Sequence, residues 1–140
     1  MPTDLPLIAT FEDGQRYQAG LYPVIVLTGS YREMGRQYGG LMKTELTEEY
    51  AFLMNTITSQ GMTKEEIMKD ARMVPTYYPE RVREIFTGMA ETSGLTYDDI
   101  AFLNYEPIFL LLSSSNPEPV PASCSYLAAW DNYTTDGSPV

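Results

Sequence analysis

β-Prone runs fill residues 6 to 28, and from residue 30 onward apolar side chains recur every three or four positions. Leu7-Ile8-Ala9-Thr10-Phe11 suits a strand, Asp13-Gly14 reads as a turn, and Tyr22 to Leu27 is rich in β-branched residues. Pro23 stands near the start of that run, where a ladder hydrogen bond is least missed. Ser30-Tyr31-Arg32-Glu33 has the form of a capping box, predicting a helix from there to about Ser59. Its apolar face is expected to include Met34, Tyr38, Leu41, Met42, Leu46, Phe52 and Leu53. Thr63-Lys64-Glu65-Glu66 is a second capping box, opening a short helix that Pro75 ends. Pro79-Glu80 suits a first helical turn, Val82, Ile85, Phe86 and Met89 form an apolar stripe, and Gly94 closes that helix. Thr96 with Asp99 starts another, carrying Ile100, Phe102 and Leu103.

The composition then shifts. Residues 113–123 (SSSNPEPVPAS) are dominated by serine and proline and read as a linker. Cys124-Ser125-Tyr126-Leu127-Ala128-Ala129-Trp130 follows as a short strand pattern. Asp136-Gly137 supplies a turn, and Ser138-Pro139-Val140 begins a returning strand. A lone hairpin is marginal in water, so this one is expected to join a sheet completed by further polypeptide. The predicted class is α+β. Residues 1–112 form a helical region with N-terminal strands, 113–123 a linker, and 124–140 the first strands of a second sheet.

Charge narrows the partners. The 140 residues carry a formal net charge of -10, which disfavours nucleic acid, whose phosphates need clustered Lys and Arg, and an anionic membrane surface. No apolar run is long enough to span a bilayer. The first residues show no signal-peptide pattern, although a mature exported form would look the same. The single cysteine excludes an internal disulfide and, with the missing signal, leans toward the cytoplasm.

Histidine is absent. That removes Ser-His-Asp and Cys-His mechanisms and histidine zinc sites within the chain, and nothing in the sequence calls for a cofactor. Gly35 and Gly39 lie four residues apart inside a predicted helix, where each costs about 1 kcal/mol relative to alanine. Their place suggests a second element packed closely on that face. Gly29-Ser30-Tyr31 lacks the order of a nucleotide-binding fingerprint. Asp98-Asp99 reads as capping rather than a catalytic pair, and Glu45, Glu48 and Glu49 as a solvated face. Cys124 stands at the junction of linker and strand, after Ala122-Ser123. A cut there would expose a thiol nucleophile whose own α-amino group, of pKa near about 8, serves as base. The residues alone equally allow a small buried hydrophobe at that position.

Three segments resemble one family. Gly29-Ser30-Tyr31-Arg32-Glu33-Met34-Gly35-Arg36-Gln37-Tyr38-Gly39 resembles the G-x-x-x-E-x-G-x-x-x-G stretch of acyl-coenzyme A:6-aminopenicillanic acid acyltransferase-like proteins, which are N-terminal-nucleophile hydrolases. Cys124 to Trp130 with Thr135-Asp136-Gly137 is similar to their nucleophile strand and turn, and Leu103-Asn104-Tyr105-Glu106 to the segment between. The resemblance implies a precursor that cuts itself at the Ser123–Cys124 bond, an αββα sandwich, and acyl transfer from amides or thioesters through Cys124. Family precursors often have glycine where Ser123 stands. The resemblance also implies that the rest of the sandwich, or a second chain, supplies the oxyanion donors, each typically worth about 10²–10³ in rate; these 140 residues alone are expected to be inactive. The alternative is a non-catalytic helical domain forming a homo-oligomer through an exposed strand edge.

Overall fold

The computed structural model describes residues 5–113. The chain is α+β: β1 (Leu7–Phe11), β2 (Gly14–Ala19) and β3 (Tyr22–Val26) precede α1 (Tyr31–Leu41), α2 (Lys43–Ser59), α3 (Lys64–Met73), α4 (Glu80–Ser93) and α5 (Tyr97–Ser113). Val74–Tyr77 adds one 3₁₀ turn between α3 and α4. Among the described residues no helix is long and apolar enough to cross a membrane.

The strands form an antiparallel meander in the order β1-β2-β3. Phe11 pairs with Gly14 and Ala19 with Tyr22, so each connection is a two-residue turn. The first turn is therefore Glu12-Asp13, with Gly14 already in β2, one position earlier than the Asp13-Gly14 signal suggests. Glu12 takes a left-handed φ of 50°, a conformation costly for a residue with a Cβ. Gly14 is needed for another reason: a Cβ there would lie 2.8 Å from Cβ of Gln37 on α1.

The predicted helix from Ser30 to Ser59 is broken in two. Met42, at φ -114° and ψ 18°, separates α1 from α2. At the break Arg16 of β2 donates Nη1–H to the Leu41 carbonyl at 3.2 Å. In a continuous helix that carbonyl would accept from the Glu45 amide. The break resets the helical phase. On α2, Leu46 and Ile57 are buried and Tyr50, Leu53 and Met54 pack partly buried. Phe52, expected on the apolar face, is 68% exposed.

The later helices follow their local signals. Thr63 and Glu66 close the expected capping box: the Thr63 amide donates to Glu66 Oε2 at 2.8 Å and the Glu66 amide to Thr63 Oγ1 at 3.3 Å. Pro75 sits in the 3₁₀ turn that ends α3, and Gly94, at φ 88°, closes α4. α5 includes Ser113, which the sequence assigned to the linker. One core cluster joins Ile57, Ile67, Met68, Ala71, Phe102 and Tyr105 across α2, α3 and α5. A second joins Phe86 of α4 to Ile100 and Ala101 of α5. Each fully buried Ile or Phe contributes about 1.5–3 kcal/mol.

Candidate functional site

The glycine-rich stretch from Gly29 to Gly39 is the most densely used segment of the described structure. Ser30 caps α1 and makes the predicted box with Glu33. Glu33 Oε2 accepts from both the amide and the hydroxyl of Ser30 at 2.7 Å. Those bonds, the hydroxyl's first, hold the Glu33 carboxyl below the usual range. Gly29 has φ 96°, in the region that favours glycine, and brings the end of the sheet onto this cap.

The expected close packing at Gly35 and Gly39 is present, and the partner is α4. A Cβ on Gly35 would collide with the Ile85 carbonyl, and one on Gly39 would lie 2.6 Å from the Met89 carbonyl. Gly88 answers from the other side, where a Cβ would collide with the Arg32 carbonyl. The two backbones are in contact. Thr92 hydroxyl donates to the Arg36 carbonyl at 2.7 Å across the same seam.

Between these glycines the polar side chains tie α1 to its neighbours. Arg36 donates Nε–H to Glu12 Oε1 at 3.0 Å and Nη1–H to Glu91 Oε2 at 2.7 Å, and Arg32 donates to Glu91 Oε1 as well. The chain Glu12–Arg36–Glu91–Arg32 thus links the β1–β2 turn, α1 and α4. Arg32 first, then Arg36, holds the Glu91 carboxyl below its ordinary value.

Gln37 is 2% exposed, and both ends of its amide are hydrogen-bonded. Oε1 accepts from the Thr28 amide at 3.0 Å, and Nε2 donates to the Thr28 carbonyl at 2.9 Å. It thus holds Thr28, two residues after β3, by both of its backbone groups. Met34 and Tyr38 of the same stretch join Leu27, Ile85 and Met89 around an open apolar pocket of about 230 Å³. Burial first, and then the charges of Glu49 and Glu45, push the Tyr38 phenol up.

The other carboxylates have structural posts. Asp99 Oδ2 accepts from the Thr96 hydroxyl at 2.6 Å and amide at 3.0 Å, while Asp98 pairs with Arg72 at 3.0 Å. The two side chains diverge, as capping requires. Burial would raise the Asp99 carboxyl, but the Thr96 hydrogen bonds, the Tyr50 hydroxyl and the Lys64 charge together leave it lowered. Glu48 and Glu49 are exposed as expected. Glu45 corrects the reading of a purely solvated face, because it pairs with Arg16 at 2.6 Å. No group of three His, Cys, Asp or Glu able to hold a metal occurs among the described residues. Of the segment Leu103-Asn104-Tyr105-Glu106, Asn104 accepts a hydrogen bond from the Tyr78 hydroxyl at 3.0 Å and Tyr105 is buried.

Cys124 and the Ser123–Cys124 bond lie outside the described residues, as do 114–123 of the linker and the strands of 124–140. Sequence reasoning missed Gln37 and Arg16. Neither gave a local sign, because their partners are the backbones of Thr28 and Leu41, 9 and 25 residues away. No family model, no curated protein and no solved structure matches this chain.

Proposed function

We propose that this chain forms the N-terminal part of a cysteine N-terminal-nucleophile amidohydrolase or acyltransferase. Its substrates are amides or thioesters of small acyl groups, and further polypeptide completes the αββα sandwich. The observation that carries the reading is the order along one chain of the Gly29–Gly39 stretch, the Leu103–Glu106 segment and Cys124 with its following turn. The packing of Gly35, Gly39 and Gly88 supports it by giving the first stretch a demanding structural role. A chain without histidine also suits a nucleophile that carries its own base.

In this proposal Cys124 acts twice. First its thiol adds to the Ser123 carbonyl carbon. The peptide C–N bond breaks, its nitrogen takes the proton, and water hydrolyses the resulting thioester to leave Ser123 as a carboxylate. The freed α-amino group of Cys124 then accepts the thiol proton, and the sulfur attacks the acyl carbonyl of the substrate. The amine or thiol leaves with that proton. Water or a second amine finally attacks the acyl thioester and regenerates the thiol.

Intact mass of the protein purified from its native source tests maturation. Two fragments meeting at the Ser123–Cys124 bond, replaced by one uncut chain in Cys124→Ala, are the expected result. An uncut chain whose thiol resists alkylation at neutral pH contradicts it. A non-catalytic, self-associating helical domain is the second reading, favoured by exposed Leu21 (92%) and Tyr22 (76%) beside the edge of β3, which pairs with no further strand among the described residues. It requires an uncut homo-oligomer in light scattering.

A further inference from the structure

We draw no further inference here: the strongest candidate, the open apolar pocket that Leu27, Met34, Tyr38, Ile85 and Met89 line beside the α1–α4 seam, carries nothing, because nothing in the structure shows what covers it.

Discussion

Replacing Gly35 with alanine probes the α1–α4 seam most sharply. In a helix with free space the change stabilises by about 1 kcal/mol, since glycine has the poorer helix propensity. Here the new Cβ would collide with the Ile85 carbonyl oxygen and lie 2.9 and 3.0 Å from the Ile85 carbonyl carbon and Cα. These are backbone atoms, and no side chain can rotate to clear them. Relief requires the helices to part by about 1 Å, an overpacking strain of about 3 kcal/mol at the upper end of its range. Parting also strains the Thr92–Arg36 hydrogen bond. The net expectation is a loss of about 2 kcal/mol, measured as a lower urea midpoint with unchanged slope. In a thermal scan this corresponds to a fall of roughly 6–10 °C. Ala51→Gly on the exposed face of α2 provides the contrast, losing about 1 kcal/mol through propensity alone. Stabilisation of Gly35→Ala by about 1 kcal/mol would refute close backbone contact.

Gln37→Leu should cost about 1–3 kcal/mol in urea unfolding, because both Thr28 backbone groups lose their partner. Gln37→Glu should be destabilised at neutral pH, since a buried carboxylate accepts but cannot donate to the Thr28 carbonyl, and should recover on acidification; a flat pH profile would contradict this. The parent protein should behave oppositely. Glu33, Glu66, Glu91 and Asp99 all have lowered folded pKa values, so the unfolded chain binds more protons in acid. Their contribution is complete above the ordinary carboxylate pKa near about 4.3 and is lost as pH falls through the lowered values. The urea midpoint should therefore hold from neutral pH to about 5 and then decline; a midpoint that rises in acid would contradict the assignment. Glu91→Gln should lower the melting temperature in dilute buffer but not in concentrated salt, where exposed ion pairs are screened.

What could be read in advance was local. The capping residues Ser30, Thr63 and Thr96, the stop at Gly94 and the β-prone runs act within a few positions of themselves, and each stands where its chemistry suggested. Gly35 and Gly39 announced a close neighbour through their cost in a helix, though not that Gly88 would meet them. The break at Met42 was hidden, since the residue that meets the chain there, Arg16 at the Leu41 carbonyl, lies 25 residues earlier. Phe52 was misassigned for the same reason, since an unbroken helix would have turned it inward. Gln37 gave no local sign, as its partner is the Thr28 backbone. The proposed nucleophile was visible only as Cys124 at a change of composition.

A reagent that reacts only with a free amino-terminal cysteine, such as 2-cyanobenzothiazole, addresses that nucleophile directly when applied to the native protein at neutral pH. The expected result is a single adduct on a fragment whose first residue is Cys124. Absence of any adduct, with peptide mapping that finds Ser123 still joined to Cys124, would contradict the proposal.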